Sequence, residues 1–238
     1  MRAFYLEHPD IFSVEAAVLD RRGDAVLLDR SPFFPGGGGQ LADRGTLTWT
    51  GGRLDLAGVE VDARGLWHRF AGAGEPHGTV LLAVDAGFRR LMCELHTLAH
   101  VLNALVYTRH GGALLTGAQL SADGSFRVDF DLPGADGAAL RGLEGAMNDV
   151  VRQDLAVTDG YLPRAEAEAM PGMFRSRSVA PPPSPDGLVR VVEIAGLDRQ
   201  ACGGTHLAST GRARLARILK SDNKGRRNRR IRVGVSQA

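Results

Sequence analysis

GFRRLMCELHTLAHVLNALVYTR, residues 87–109, is the stretch on which the reading of the whole chain turns. Its Leu91, Leu95, Leu98, Leu102 and Leu105 recur at three- and four-residue steps, the apolar stripe of an amphipathic helix. Asp85 stands where an N-cap belongs, and Gly111-Gly112 closes the pattern. His96 and His100 lie one helical turn apart beside that stripe, so both imidazoles leave one face and can chelate without distorting the backbone. Thr97 follows the first histidine where a metalloprotease helix needs its glutamate base, which excludes that chemistry. Cys93, three residues before His96 on the same face, is a competing ligand by spacing and reads first as a small buried hydrophobe.

A second pair of donors four positions apart lies far downstream in Cys202-Gly203-Gly204-Thr205-His206. Two glycines inside a helix would each cost about 1 kcal/mol relative to alanine, so this pair sits on a tight turn. One thiol and three imidazoles make a complete tetrahedral set for zinc, and His96, His100, Cys202 and His206 are read as one site. Structural zinc sites usually use two or more cysteines; a histidine-rich set points to a site that handles substrate.

Upstream of the helix the pattern changes to short apolar runs at Ser13–Leu19, Asp24–Asp29, Gly45–Trp49, Arg53–Val61, Gly65–Phe70 and Thr79–Val84. Gly-rich turns separate them, and Asp20-Arg21-Arg22-Gly23 reads as a hairpin turn, which predicts a small antiparallel β-barrel-like domain over residues 1–84. Downstream, Ala113–Ser121 and Ser125–Leu132 read as strands and Asp136–Leu155 as a second amphipathic helix. Pro181-Pro182-Pro183-Ser184-Pro185 is a rigid connector, and Leu188–Ile194 is a strand leading to Asp198, Gln200 and the cysteine turn. Arg214–Lys220 and Arg229–Val235 form a basic hairpin around Asn223-Lys224-Gly225. The fold class expected is α+β, with a two-layer α+β domain over residues 85–238 carrying the zinc site.

In 238 residues, 44% hydrophobic and 24% charged, no run reaches the roughly 20 apolar residues of a membrane span, so no membrane role is expected. Two cysteines, one of them a metal-ligand candidate, rule out a disulfide framework, and a reducing, cytoplasmic location is the expectation. Charge is distributed unevenly. From Gly211 to Arg232 the chain carries ten Lys/Arg against the single acid Asp222, giving that segment +9 in a chain of +2. A basic tail on an otherwise acidic protein is the footprint of a polyanionic partner, and Lys224, Arg226, Arg227, Arg229 and Arg230 are the expected RNA contacts.

HTLAH, Thr116-Gly117-Ala118-Gln119, the Asp198-to-His206 run and the closing strand Lys224–Arg232 resemble the editing domain of alanyl-tRNA synthetase and its freestanding relatives, the AlaX family. The loop Phe33–Gly45 is similar to that family's glycine-rich motif, here Gly36, Gly37, Gly38, Gly39, Gln40 and Asp43, which matches the medium-length type. The resemblance implies a zinc-containing hydrolase that deacylates misacylated tRNA(Ala) in trans, chiefly Ser-tRNA(Ala) and also Gly-tRNA(Ala). By position it makes His96, His100, Cys202 and His206 the Zn2+ ligands and sets Thr116, Gln119, Asp198 and Thr205 beside the substrate. The backbone N–H groups of Gly203 and Gly204 are the candidates for the oxyanion. The alternative from another class is a non-catalytic tRNA-binding accessory protein whose zinc braces the fold.

Overall fold

The computed structural model describes residues 3–134, 140–176 and 186–236. The chain divides into two compact units, one of Met1–Gly37 and Leu41–Arg90 and one of Gly38–Gln40 and Leu91–Ala238.

After a one-turn helix α1 (Phe4–Glu7), the first unit is a closed barrel of β1 (Ser13–Arg22), β2 (Ala25–Leu28), β3 (Gly45–Trp49), β4 (Gly52–Asp62), β5 (Gly65–Ala71) and β6 (Thr79–Val84). The strands follow the order β1-β2-β5-β4-β3-β6, and β1 pairs with β6 to close the ring. Alternation explains the core. Ala16, Val26, Leu28, Leu47, Leu54, Phe70, Val80, Leu82 and Val84 each point inward from every second position. The first hairpin is tighter than the sequence suggests. Asp20, Arg21 and Arg22 belong to β1 and pair with Leu27, Val26 and Ala25, because Gly23 adopts φ +60° and turns the chain within two residues. All four residues of β2 are buried, since Ala25 and Leu27 on its outer face pack with Trp67, over which the Arg22 guanidinium lies at 4.4 Å.

Asp43 staples the glycine-rich loop. Its carboxylate accepts from the Phe34 amide at 2.6 Å and forms a multiply bonded pair with Arg89, whose Nη2 also donates to the Pro32 carbonyl at 2.6 Å. The Arg89 and Asp43 side chains are 1% and 0% exposed. Burial and three hydrogen bonds between the partners place this pair among the ones whose disruption is costly.

Buried His68 lies 2.6 Å from Ser31 Oγ, and desolvation pushes its imidazole down to about 4. An unfolded chain, with histidine near 6.5, takes up the proton first as pH falls. The neutral imidazole therefore contributes its full stability above pH 6.5 and loses it between pH 6.5 and 4, about 3 kcal/mol in all. Trp49 and Trp67, the only two tryptophans of the chain, both lie in this unit, so their fluorescence reports its unfolding. Urea midpoints followed that way should drop between pH 7 and 4.5, and the drop should shrink in His68→Gln.

Helix α2 (Ala86–Arg109) begins at the cap that Asp85 provides, its Oδ1 accepting the Phe88 amide at 2.9 Å. Leu95, Leu98, Leu102 and Leu105 are buried, as are Met92, Val101, Ala104 and Val106, so the helix is enclosed on more than one face. In the second unit, β12 (Ala216–Lys224), β13 (Asn228–Val235), β8 (Ser125–Asp131) and β7 (Leu115–Leu120) form one antiparallel sheet in that order. A smaller sheet is ordered β11 (Asp198–Ala201), β10 (Leu188–Ile194), β9 (Val157–Pro163).

Helix α3 (Leu143–Gln153) buries Leu143, Met147, Val150 and Val151 and joins β12 through side-chain hydrogen bonds. The Asn148 amide exchanges two bonds with the Ala216 backbone at 2.8 and 3.0 Å, and Glu144 Oε2 accepts the Ile218 amide at 2.7 Å. The helix expected over Asp136–Leu155 stops earlier, at Asp154 in the left-handed region, and residues 135–139 lie outside the described ones. Strand β9 and helix α4 (Arg164–Ala169) have no counterpart in the sequence reading, because Val157–Pro163 carries Gly160 and Pro163 and little apolar alternation. Its pairing with β10, from Val157↔Ile194 to Pro163↔Leu188, makes it a strand at the sheet edge. The Pro181–Pro185 connector lies outside the described residues.

Candidate metal centre

His96, His100, Cys202 and His206 converge in the second unit with their ligand atoms within 4.8 Å of one another. Cys202 Sγ stands 3.5 Å from His96 Nε2 and 3.3 Å from His206 Nε2. A tetrahedral zinc with N and S ligands spaces its donors about 3.3–3.8 Å apart, so the residues present fit such an ion. One helix supplies two donors in register, and the turn after β11 brings the other two against it.

Side chains around the donors account for their orientation. His96 Nδ1 lies 2.8 Å from Gln40 Oε1, and Thr97 Oγ1 lies 3.3 Å from His206 Nδ1. His100 Nδ1 faces Asp198 Oδ2 at 3.9 Å, while Asp198 is paired with Arg175 at 2.6 Å and accepts from Gln200 Nε2 at 2.5 Å. Asn103 Nδ2 in turn donates to Gln200 Oε1 at 3.1 Å. Arg190 clamps the cysteine turn by donating to the carbonyls of Cys202 at 3.1 Å and Gly204 at 2.8 Å. Gly204 leaves no room for a side chain, because a Cβ there would run into the His96 ring and come within 2.8 Å of Gln40 Oε1.

Burial governs the electrostatics. Desolvation pushes His96 down to about 4 and His100 and His206 well below the usual histidine range, while it raises the Cys202 thiol. Neutral imidazoles with lone pairs available, gathered with one sulfur within 4.8 Å, are the state a cation binds. The raised thiol and its burial oppose a role for Cys202 as a free nucleophile, which needs a lowered one.

Several expected substrate contacts have other partners. Thr205 is buried, accepts from Gln40 Nε2 at 2.8 Å and from Cys93 Sγ at 3.2 Å, and so braces the turn. Asp198 is likewise buried and engaged by Arg175 and Gln200. Gln119 donates to backbone carbonyls of Gly39 and Leu120, at 3.5 and 3.1 Å, because β7 runs beside residues Gly38–Gln40. The Gly204 amide donates to Cys202 Sγ at 3.4 Å. Thr116 donates to Asn228 Oδ1 at 3.3 Å. It lines a cavity of about 420 Å³ with Asp131, Lys224, Arg226, Arg227 and Asn228, none of which belongs to the donor cluster.

The basic hairpin is also less free than its composition suggests. Arg227 is paired with Asp131 at 3.0 Å, Arg230 with Asp129 at 2.6 Å and Arg232 with Asp123 at 3.0 Å, all across the β8–β13 ladder or its end. Arg229 is buried and donates to the carbonyls of Gly225 and Asn228. Lys224 and Arg226 remain exposed at the hairpin turn. Sequence reasoning missed Arg175 and Arg190 altogether; nothing in their local sequence distinguishes them from solvated arginines.

Residues 189–232 match the family model described as threonyl and alanyl tRNA synthetase second additional domain. A protein of Saccharolobus solfataricus named alanyl-tRNA editing protein AlaX-M is 33% identical over 231 residues, 95% of each chain. The alanine–tRNA ligase of Korarchaeum cryptofilum is 32% identical over 88% of this chain, and that of Pyrococcus abyssi 34% over 93%. The match spans 23% and 24% of those two ligases. No helix among the described residues is long and apolar enough to cross a membrane.

Proposed function

The chain belongs to the alanyl-tRNA editing family, and on that premise we propose that it hydrolyses the ester of misacylated tRNA(Ala), seryl-tRNA(Ala) first and glycyl-tRNA(Ala) second, with zinc at the four-donor centre. The observation that carries the reading is the convergence of three imidazoles and one thiol, each already turned toward a common point. When bound there, zinc supplies polarisation of a carbonyl, acidification of water or orientation of the substrate.

The chain's own residues do the rest. Arg190 holds the cysteine turn against its strand, and Asp198, paired with Arg175, lies 3.9 Å from His100 Nδ1. The backbone amides of Gly203 and Gly204 are the candidate donors for the developing oxyanion. Asp198, the carboxylate facing His100, is engaged by Arg175 and Gln200, and among the described residues we assign no general base.

The test is hydrolysis of Ser-, Gly- and Ala-tRNA(Ala) by the purified protein before and after zinc is stripped by a chelator. Zinc-dependent loss of the serine and glycine esters, with the alanine ester spared, is expected. Absence of hydrolysis with all three would transfer the role to tRNA binding alone.

RNA contact is proposed at the hairpin turn. Lys224 and Arg226 are exposed there and share a cavity with Thr116 and Asn228, whereas Arg227 and Arg230 are held by Asp131 and Asp129. The double change Lys224→Ala/Arg226→Ala should reduce the slope of log affinity against log salt by about 1 to 2, as each phosphate contact contributes roughly 0.7–0.9. Arg230→Ala should leave the slope nearly unchanged. Equal slopes for both variants would return the turn to an ordinary solvated surface.

A further inference from the structure

We infer that Gln40 is a positioning residue for this centre: its side-chain amide fixes the tautomer of His96 and so decides which imidazole nitrogen is presented to the metal. The inference rests on the proposed metal-binding role of the four donors.

The argument begins with a donor whose identity is not in question. The Thr205 backbone N–H can only donate, and it lies 3.1 Å from Gln40 Oε1. The opposite amide orientation would set an NH2 group against that N–H. In that orientation the other end of the amide is satisfied too, Gln40 Nε2 donating to Thr205 Oγ1 at 2.8 Å. The same Oε1 lies 2.8 Å from His96 Nδ1. A carbonyl oxygen accepts only, so Nδ1 must carry the hydrogen, and Nε2, 3.5 Å from Cys202 Sγ, is left with its lone pair toward the cluster. A backbone amide thus fixes a side-chain amide, and that amide fixes an imidazole.

Everything around Gln40 is shaped to hold it there. The side chain is 3% exposed. Gly36, Gly37, Gly38 and Gly39 all adopt positive φ, between 60° and 129°, a succession that residues with a Cβ resist. A Cβ on Gly39 would come 2.5 Å from the Ala118 carbonyl oxygen, and the Gly39 carbonyl accepts the Leu120 amide at 2.8 Å. The glycine run therefore delivers a glutamine to a fixed place, and the missing Cβ of Gly204 keeps that place open.

The test measures zinc affinity by chelator competition and the His96 tautomer by long-range 1H–15N correlation of the metal-free protein, in wild type, Gln40→Glu and Gln40→Met. Wild type should show hydrogen on His96 Nδ1. Methionine keeps the length and removes the acceptor, so Q40M should bind zinc 10- to 100-fold more weakly and populate the Nε2–H tautomer. Glutamate keeps an acceptor for both N–H groups, so Q40E should retain Nδ1–H and stay within about threefold of wild-type affinity. A residue that merely filled space would leave the tautomer unmoved in Q40M. Wild type with hydrogen on Nε2, or Q40M with wild-type affinity, overturns the inference; the wild-type spectrum decides even where Q40M does not fold. A wild-type protein that binds no zinc would overturn the proposed function as well, which separates the two failures.

Discussion

Replacing Cys202 with alanine should strip the protein of its metal and lower ester hydrolysis by more than about 100-fold, since changing a mere supporting partner of a metal ligand already costs 10- to 100-fold. Cys202 is the one sulfur in the cluster and lies within 3.5 Å of the Nε2 atoms of both His96 and His206. Its removal leaves three imidazoles and takes away the only anionic ligand. Metal content by atomic emission and deacylation of Ser-tRNA(Ala) are read on the same preparation. Full metal content with normal hydrolysis would sink the assignment. Hydrolysis that fails while metal stays bound would instead indicate a direct chemical role for the thiol.

Asp43→Ala should produce the largest loss of stability. It leaves the Arg89 guanidinium buried without its counter-charge and frees the Phe34 amide, and breaking a buried pair from one side costs about 3–5 kcal/mol. Unfolding followed by tryptophan fluorescence should show that loss as a lower urea midpoint. Asp43→Asn/Arg89→Met, which removes both charges at nearly constant volume and keeps an acceptor for the Phe34 amide, should recover a large part of it. A single mutant within about 1 kcal/mol of wild type would mean that water reaches the pair and that its burial is not maintained in solution.

What the sequence reveals here follows the range over which each interaction acts. The donors are visible because two lie one helical turn apart and two flank a glycine pair, so local spacing alone aligns them. The barrel is visible because its core repeats every second residue. Partners joined only by tertiary folding are not visible. Gln40 and Thr205 are 165 positions apart, and Asp43 and Arg89 are 46 apart. Read without pairing register, the segment Gly211–Arg232 looks like a free basic arm. Register brings Asp129 opposite Arg230 and Asp131 opposite Asn228, beside Arg227, and a strand that reads as acidic and apolar quietly neutralises its neighbour. The hydrogen bonds of Thr205 and Asp198 to Gln40, Cys93, Arg175 and Gln200 were equally hidden, because buried polar side chains are partnered through tertiary contacts that motif position does not show.

The attachment of α3 to β12 has a consequence beyond packing. β12 is the last strand of its sheet, and such a margin exposes a row of amides and carbonyls on which a second chain could add itself. At Ala216 both backbone groups on that margin are taken by the Asn148 amide, which imitates a neighbouring strand for one residue, and at Ile218 the amide is taken by Glu144. Two side chains from one helix thereby interrupt the template at alternate positions. The margin of β12 is thereby broken at Ala216 and Ile218 without an added strand or a proline, so a second chain finds no uninterrupted row of backbone partners at that end of the strand.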